Sequence, residues 1–514
     1  MNKNELSIQS KNNYNKFKPA IFALVAILIQ SVVLIVLYFK YSHLLYITSP
    51  LWVVLSTAFM IYVINREADP TYKLAWILIV AVMPIFGILL YLLLQFIPGR
   101  RSVHHKLEQN ILESKLYNLQ DSAIKDRLIQ ADKQWANTAQ YLNDFASAPT
   151  FTGTATKYYA IGEDYFADLL SDLQRAKRSI MMEYFIISPG KLWSSIEAIL
   201  IEKAKAGVDV KLMYDGTNSI NLPVGFFKPL EDAHVKVNEF SPISAFLNTV
   251  LNNRDHRKIT VIDNTIGYTG GVNLADEYAN IIDRFGHWKD TGLRLEGPAV
   301  QSLTMTFLQL WNLPEPIEEY SLYTEAAPLP DQESFVVPFA DDPNDLESVA
   351  ENIFVDVLSR ARHYVYIMTP YLILSDHMSF ALKLAAKRGI DVRIIMPHIP
   401  DKRIPFLVAQ TYYPDLIKAG VKIYQYRPGF VHAKVVLSDD IVSIVGTINC
   451  DYRSFHHHYE NGVLSLNRDL ALTIKSDFAS TLEACYEMSF YAYKKLPLKD
   501  RILGKIFRIF APLM

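Results

Sequence analysis

One block of sequence occurs twice in this chain, and each copy ends in the same spaced set of polar residues. Both copies read His-x-Lys-x-x-x-x-Asp; the two sets are His256, Lys258 and Asp263, and His432, Lys434 and Asp439. A glycine and an asparagine follow each set at matching distances, as Gly270 and Asn273 and as Gly446 and Asn449. One His-x-Lys pair is common by chance, but two copies with matching offsets indicate a duplicated unit.

Upstream of each motif, the same order of elements is predicted: a helix, a strand, a second helix and a second strand. The segment Ala206–Leu212 (Ala-Gly-Val-Asp-Val-Lys-Leu) matches Arg388–Ile394 (Arg-Gly-Ile-Asp-Val-Arg-Ile). Strands that alternate with short helices are typical of an α/β sheet with helices on its faces. The sequence therefore predicts an α/β fold of two duplicated halves that form one pseudo-symmetric unit.

The residue types in the motif suit the chemistry of a phosphodiester without a metal. In a strand, residues i and i+2 project from the same face, so each histidine and its lysine converge. Two such pairs would place two imidazoles and two ammonium groups around one pocket. The lysines would neutralise phosphate oxygens, while one imidazole attacks phosphorus and the other protonates the departing alkoxide. Asn273 and Asn449 are predicted to bind the same phosphate oxygens.

The motif aspartates are expected to lie away from their own histidines. Seven residues of extended chain cover about 23 Å, so Asp263 and Asp439 belong to the catalytic motif only in a supporting role. A carboxylate that orients a histidine must come from another segment. The candidates are Glu460, which lies 28 residues after His432, and Asp290.

Other titratable clusters carry little metal-binding signal. The run His456–His458 lacks obvious partner ligands from other segments, and a position at the rim of the site is one interpretation of it. The two cysteines, Cys450 and Cys485, do not form a Cys-x-x-Cys pair. We therefore predict no metal and no cofactor.

The first hundred residues carry most of the apolar excess. Three charge-free stretches, Pro19–Phe39, Leu44–Ile64 and Leu74–Ile97, are 21, 21 and 24 residues long. About 20 apolar residues span a bilayer core, so the sequence predicts a multi-pass protein of the cell membrane with two or three transmembrane segments. Pro84 and Gly87 lie within the third stretch and favour a kink or a re-entrant helix. The lysine and arginine counts do not decide which side the remaining chain faces.

Charge argues against a nucleic-acid partner. The formal net charge is -2 and the pI is about 6.7, whereas proteins that bind nucleic-acid phosphates usually carry a basic excess. Basic residues are instead concentrated at residues 494–514, where they alternate with apolar ones. This pattern predicts an amphipathic helix that either lies on anionic lipid or docks on the domain. An apolar loop between Phe240 and His256 has a similar pair of interpretations, lipid contact or ordinary packing.

With these residues in place, the sequence resembles the phospholipase D superfamily and, within it, the bacterial cardiolipin synthases. The likeness covers nearly the whole chain. Besides the motifs, it rests on Ile64–Glu67, Tyr72–Trp76, Pro84–Gly87, Asn253–Lys258, Gly270–Tyr278, Glu296–Val300, Gly446–Ser454 and Pro512–Met514. The double motif is specific to the superfamily, and the amino-terminal segment with Asp-Tyr-Arg-Ser at Asp451–Ser454 narrows it to the synthases.

The resemblance implies that two phosphatidylglycerols become cardiolipin and glycerol. It implies a phosphatidyl-histidine at His256, with His432 as proton donor and then acceptor, although these roles can be exchanged. Membrane lipids are the expected partners, and protein partners are not predicted. The rival functions are a hydrolytic phospholipase D, a phosphatidylserine synthase, a nuclease and a membrane scaffold with a retired site.

The predicted domain plan has six parts. They are a membrane anchor over residues 1–99, a helical connector over 100–148, a first phospholipase D-like half over 149–317, a linker over 318–335, a second half over 336–493, and the basic amphipathic helix over 494–514. The predicted fold is thus a duplicated α/β catalytic unit preceded by transmembrane helices.

Overall fold

The computed structural model describes residue 40 and residues 50–66, 70–95, 100–241, 253–314, 318–324, 334–345 and 347–511. They fall into two compact units, one reaching to Ile97 and the other taking the described residues from 100 onward. The helices are α1 (residues 50–64), α2 (Pro70–Val82), α3 (Pro84–Gln95), α4 (Arg100–Lys115), α5 (Ser122–Ala131), α6 (Lys133–Ala146), α7 (Gly162–Arg175), α8 (Lys191–Lys205), α9 (Lys228–Asp232), α10 (Val300–Trp311), α11 (Val349–Arg360), α12 (Asp376–Lys387), α13 (Arg403–Gln410), α14 (Tyr413–Ala419), α15 (Tyr452–His456), α16 (Arg468–Glu483), α17 (Phe490–Lys494) and α18 (Leu498–Arg508).

The strands all lie in the second unit. They are β1 (Ala155–Tyr159), β2 (Ser179–Tyr184), β3 (Asp209–Asp215), β4 (Lys236–Phe240), β5 (Arg254–Asp255), β6 (Lys258–Ile262), β7 (Ile266–Gly270), β8 (His287–Lys289), β9 (Gly292–Glu296), β10 (Phe335–Asp341), β11 (Tyr364–Met368), β12 (Leu372–Ile373), β13 (Asp391–Pro397), β14 (Lys422–Tyr426), β15 (Gly429–Val431), β16 (Val435–Ser438), β17 (Val442–Gly446), β18 (Cys450–Asp451), β19 (His458–Leu466) and β20 (Cys485–Glu487). This statement covers the described residues alone.

The amino-terminal unit packs around aromatic side chains. The rings of Trp76 and Tyr91 meet edge to face with centroids 5.0 Å apart, and Arg66 donates a 2.6 Å hydrogen bond to the Tyr91 hydroxyl. The apolar stretch from Leu74 is divided at Met83 into α2 of 13 residues and α3 of 12 residues. Proline at position 84 explains the break, because its ring disfavours a continuous helix.

The predicted transmembrane segments overlap the described residues of this unit only in part. Among the described residues, no helix is both long enough and apolar enough to cross a membrane. The multi-pass anchor predicted from the three apolar stretches is therefore not supported by the described structure. Pro19–Phe39 lies outside the described residues, as do residues 44–49 of the second stretch.

Two sheets of the carboxy-terminal unit share one strand order. Within the described residues, the first sheet runs β1-β9-β7-β6-β2-β3-β4, and the second runs β10-β19-β17-β16-β11-β13-β14 with β20 added at its edge. Strands β2, β3 and β4 pair in parallel, as do their counterparts β11, β13 and β14. This strand-by-strand equivalence confirms the predicted duplication of an α/β half.

Crossover helices account for the parallel pairs in both halves. A parallel connection needs a crossover segment, which α8 supplies between β2 and β3, and α12 between β11 and β13. Each helix ends near a glycine, Gly207 or Gly389, with φ of +90°. Glycine enters this left-handed region without the steric cost that other residues incur. The glycine signal in the duplicated segments thus marks the same turn twice.

The halves are joined by a common core and by two exchanged strands. Ile259 and Leu293 of the first half and Val463 and Phe478 of the second are buried in one hydrophobic cluster. Strand β5 of the first half pairs with β19 of the second, and β8 pairs in parallel with β15. These two non-local pairings carry the motif segments of each half to the other.

Candidate active site

His256 is positioned by the first exchanged strand. It follows β5 directly, and its backbone N–H donates to the Tyr459 carbonyl oxygen over 3.0 Å. Its ring Nδ1 lies 2.9 and 3.0 Å from the two carboxylate oxygens of Glu460. The Thr447 hydroxyl donates a further hydrogen bond to Glu460. A carboxylate of the second half therefore orients the histidine of the first.

His432 is positioned by the reciprocal arrangement. Its backbone N–H donates to the Lys289 carbonyl oxygen over 2.7 Å, and its Nδ1 lies 2.7 Å from Asp290 Oδ2. The Thr291 N–H donates to the other Asp290 oxygen over 2.8 Å. A side chain at Gly271 would overlap Asp290 Oδ1, so this glycine leaves the space that the carboxylate occupies.

Each imidazole is thus held by the half that does not contain it. An Nδ1 occupied by a carboxylate leaves Nε2 as the ring atom available for chemistry. The charges of Lys434 and His432 act on His256 across the interface between the halves. The two motifs therefore build one site, in which each motif histidine contacts a carboxylate of the other half.

Two lysines complete the charged groups of the site. Each is buried, and each ammonium donates to the backbone carbonyl of its own motif histidine, Lys258 to His256 and Lys434 to His432. Burial lowers the pKa of Lys258 to about 7 and that of Lys434 to about 8. A bound phosphodiester, which carries one negative charge, would therefore stabilise the protonated form of both lysines.

Burial and nearby positive charge favour neutral imidazoles in this site. Burial, followed by the charge of Lys434, lowers the pKa of His432 to about 4. Burial, with the charge of Lys258, lowers the pKa of His256 well below its ordinary value. A neutral imidazole can act directly as a nucleophile. An imidazole that is to act as a general acid must first gain a proton.

The motif aspartates lie at the other end of their strands. Asp263 accepts backbone N–H bonds from Lys177, Arg178 and Ser179 at 2.7 to 3.2 Å. Asp439 repeats the pattern with Arg362, His363 and Tyr364 at 2.8 to 2.9 Å. Both take positive φ, 53° and 54°, a region that aspartate enters more readily than most residues. They tie the hairpin turn to the start of the neighbouring strand.

The motif asparagines are held differently in the two halves. Asn273 accepts the Ile186 N–H over 3.0 Å and donates to the Tyr278 hydroxyl over 2.8 Å. An amide nitrogen carries two N–H donors, so this contact leaves Asn273 a second donor for a phosphate oxygen. Asn449 donates its backbone N–H to the Ser454 hydroxyl, and its buried Oδ1 has no hydrogen-bond partner within the described part of the chain. The phosphate contacts of both asparagines stay a prediction.

Sequence reasoning offered the rim of the site for the run His456–His458 but did not predict that His458 lies beside His256. Its ring centroid is 5.2 Å from that of His256, and its Nδ1 lies 3.6 Å from Glu460 Oε1. Neither ring nitrogen has a hydrogen-bond partner among the residues that the structure describes. The signal was present in the sequence, since residues i and i+2 of a strand share a face. His458 lies two residues before Glu460 on β19.

Aromatic rings that the motif does not predict surround both histidines. Phe185 packs edge to face on His256 with centroids 5.1 Å apart. Tyr278 and Trp288 lie 5.3 and 5.4 Å from the His432 ring in the same measure. These rings exclude water from the imidazoles and strengthen electrostatic interactions in the site.

Three site groups could also hold a metal ion. The ligand atoms of His256, His458 and Glu460 all lie within 4.8 Å of one another. The buried ammonium groups of Lys258 and Lys434 act on the same residues and repel a cation. The electrostatics of the site thus suit an anion better than a divalent cation.

Comparison with known proteins agrees with this geometry. The family model described as cardiolipin synthase, PLD-like domain, matches residues 169–311 and 354–482, more than half of the chain. A second model, phospholipase D-nuclease N-terminal, matches residues 54–95. The chain belongs to the cardiolipin synthase family. The two ranges that the first model matches lie in the two halves that the sheets repeat.

Relatives of this cardiolipin synthase family chain extend over its full length. Cardiolipin synthase 1 of Bacillus cereus is 32% identical over 515 residues, covering 97% of this chain and all of that protein. An uncharacterized protein of Streptococcus mutans is 41% identical over 457 residues, covering 88% of this chain and 99% of that protein. The crystal structure of phosphatidylserine synthase from Haemophilus influenzae has a TM-score of 0.57 at 14% identity, covering 74% of this chain and 98% of that one. That last likeness shows the fold.

Replacing the motif aspartates tests their structural role in this family member. We expect Asp263→Asn and Asp439→Asn each to lower the free energy of unfolding by about 1 to 2 kcal/mol, because each removes charge-assisted bonds to backbone N–H groups. The catalytic constant per folded molecule should change little. Thermal unfolding and turnover are compared with Asp126→Asn, an exposed helical aspartate. Lost turnover at unchanged melting temperature would instead make these aspartates catalytic.

Proposed function

We propose that this enzyme transfers a phosphatidyl group from one phosphatidylglycerol to another, giving cardiolipin and glycerol. The observation that carries the proposal is the crossed pair of histidine–carboxylate contacts beside two buried lysines. A relative over the whole chain is named cardiolipin synthase 1. The enzyme is accordingly a phosphatidyltransferase, and phospholipids are its substrates.

In the first step, the ammonium groups of Lys258 and Lys434 bind the phosphodiester of the donor lipid. The arriving negative charge raises the pKa of His432, which can then carry a proton. His256 Nε2 attacks phosphorus, a P–N bond forms, and the P–O bond to the leaving glycerol breaks. His432 gives its proton to the glycerol oxygen.

In the second step, a hydroxyl of the second phosphatidylglycerol takes the place of the departed glycerol. His432 is now neutral and accepts the proton of that hydroxyl. The oxygen attacks phosphorus, the P–N bond breaks, and His256 returns to its starting form. One phosphodiester is exchanged for another, so the reaction needs no nucleotide.

The carboxylates support this division of roles between the histidines. Burial alone would raise the pKa of Asp290, but the charge and hydrogen bond of His432 hold it below its ordinary value. Burial raises the pKa of Glu460 well above its ordinary value, against the opposing charge of Lys258. The pair that contains Asp290 therefore carries more negative charge. A histidine that must hold a proton is better placed there, which favours His432 as the acid and His256 as the nucleophile.

We further propose that residues 149–317 and 336–493 are the catalytic halves, joined by the linker 318–335 and preceded by the connector 100–148. The enzyme acts at the cell membrane, where phosphatidylglycerol resides. The number of membrane crossings within residues 1–99 stays a prediction from the apolar stretches.

A product assay tests the proposed reaction. Purified full-length enzyme is mixed with phosphatidylglycerol labelled in its headgroup glycerol, and lipids and water-soluble products are separated. We expect cardiolipin and free labelled glycerol in equal amounts. Phosphatidic acid as the main lipid would instead indicate a hydrolytic phospholipase D. Phosphatidylserine formed from cytidine-activated lipid and serine, without cardiolipin, would indicate a phosphatidylserine synthase.

The lowered lysine pKa values predict the pH dependence of the reaction. The phosphodiester needs protonated lysines, so kcat/KM should fall as pH rises through about 7 to 8, where Lys258 and Lys434 lose their protons in the free enzyme. Bound phosphodiester raises both pKa values, so kcat should fall only at higher pH. Lys434→Arg, which stays charged, should make the fall in kcat/KM less steep. A flat profile between pH 6 and 9 would contradict this role.

A further inference from the structure

The carboxy-terminal helix α18 docks through an unusual side. A side chain at Gly504 would overlap the Leu407 carbonyl oxygen, so glycine permits close packing of α18 on α13. The Arg508 guanidinium lies 4.0 Å from the centroid of the Tyr412 ring, and Arg403 pairs with Asp500 over 3.0 Å. Glycine and charged residues thus make close contacts between this helix and the domain.

The apolar side of α18 and of the turn after it faces outward. Leu498, Ile502, Ile506 and Ile509 are 66%, 49%, 49% and 43% exposed. Their spacing of three and four residues places them in one stripe along the helix. A helix on the surface of a water-soluble protein normally buries such a stripe against the core. We name this stripe the apolar face.

Positive charge borders the apolar face. Lys499 and Lys505 are exposed on α18 next to the stripe, and long lysine side chains can reach from apolar surroundings to phosphate groups. Lipid headgroups with negative charge supply the matching partner. The charge complement therefore selects an anionic lipid surface over a neutral one.

Helix α13, on which α18 packs, follows directly after residues that act on the catalytic site. Helix α13 begins one residue after Lys402, whose charge acts on His458. Asp401 accepts a hydrogen bond from Tyr371 and acts on the charge of Lys434. One short helix thus connects the rim of the site to the apolar face.

We propose that the apolar face inserts into the headgroup region of an anionic bilayer and holds the site mouth against the lipid. Both sequence interpretations of residues 494–514 then apply together, since one side of α18 docks on the domain and the other contacts lipid. The lysines pair with lipid phosphates while the isoleucines enter the acyl boundary, roughly 5 to 10 Å deep. This surface is independent of which phospholipid reaction the site performs.

Depth-dependent fluorescence tests the insertion. Full-length Cys485→Ser enzyme carries an environment-sensitive dye on Ile506→Cys, and a matched protein carries it on Ile129→Cys, an exposed residue outside the apolar face. Both are reconstituted in vesicles of phosphatidylglycerol and phosphatidylcholine that contain a spin-labelled lipid. We expect a blue shift and strong quenching at position 506 and neither at 129. An unquenched, water-exposed dye at 506 would overturn the proposal, and so would a dye shielded without vesicles by a second copy of the chain.

An activity comparison provides the second test. The double variant Ile502→Glu and Ile506→Glu should lose at least about tenfold in rate on vesicle phosphatidylglycerol, because two charges enter the lipid-facing stripe. Its rate on a short-chain, monomeric phosphatidylglycerol should match that of the parent enzyme, which also shows that it folds. Equal loss on both substrates, or no loss on vesicles, would contradict the proposal. If the dye is quenched but no cardiolipin forms in any assay, the proposed reaction fails while the membrane surface stands.

Discussion

His256→Ala and His432→Ala are each expected to abolish cardiolipin synthesis, with a loss of at least about 10³-fold in kcat. Both histidines belong to one reaction, since each is oriented by a carboxylate of the other half. Headgroup release and cardiolipin formation are measured in the two variants and in His363→Ala, whose exposed side chain is the matched control. Half of the parent activity in either variant would indicate two independent sites.

A substrate with a better leaving group separates the two roles. A phosphatidyl ester of p-nitrophenol departs without receiving a proton, so its release no longer needs a general acid. We expect His432→Ala to release p-nitrophenol in a burst of about one equivalent, whereas His256→Ala should release none. The reverse pattern would exchange the nucleophile and the acid. Equal loss in both variants would contradict a division of labour between the histidines.

The crossed carboxylates give the second large effect. Asp290→Asn and Glu460→Gln should each lower kcat by about 10² to 10⁴, because a histidine without its carboxylate loses its orientation and tautomer. Each carboxylate variant should behave like the alanine variant of the histidine that the carboxylate contacts. With the p-nitrophenol lipid, Asp290→Asn should therefore release a burst, as His432→Ala does. Glu460→Gln should release none, like His256→Ala.

Two measurements distinguish a lost orienting contact from a general loss of folding in these variants. Circular dichroism and melting temperature identify variants that fail to fold, and Glu483→Gln, an exposed change in α16, serves as the matched carboxylate control. If Glu460→Gln behaved like His432→Ala, the strand exchange that places Glu460 beside His256 would be contradicted. Unchanged kcat in both carboxylate variants would remove the orienting role altogether.

Local sequence patterns predict the parts of this site that are local. The spacing of His, Lys and Asp in each motif, and the distance that separates His256 from Asp263, follow from the geometry of a single strand. Gly207 and Gly389 mark turns that the structure repeats. Such features need no knowledge of how the halves assemble, so the duplication could be predicted.

Non-local pairings explain what the sequence could not settle. Glu460 and Asp290 were both candidates, but their partners are decided by the pairing of β5 with β19 and of β8 with β15. Those pairings join segments more than 100 residues apart, and no local periodicity encodes them. Asn273 illustrates the same limit, because its Tyr278 contact depends on the loop after β7. By contrast, the break at Met83 is local, and Pro84 within the apolar stretch already indicated it.

In the proposed reaction, both halves form one site that exchanges a phosphodiester through a phosphatidyl-histidine. Its most direct test is to trap that intermediate in His432→Ala, where the base for the second step is missing. The variant is mixed with the phosphorus-labelled p-nitrophenol lipid, quenched in alkali and digested, and the labelled peptide is sequenced by mass spectrometry. The account predicts about one acid-labile label per chain, on His256. A label on any other residue, or no label despite a p-nitrophenol burst, would contradict it.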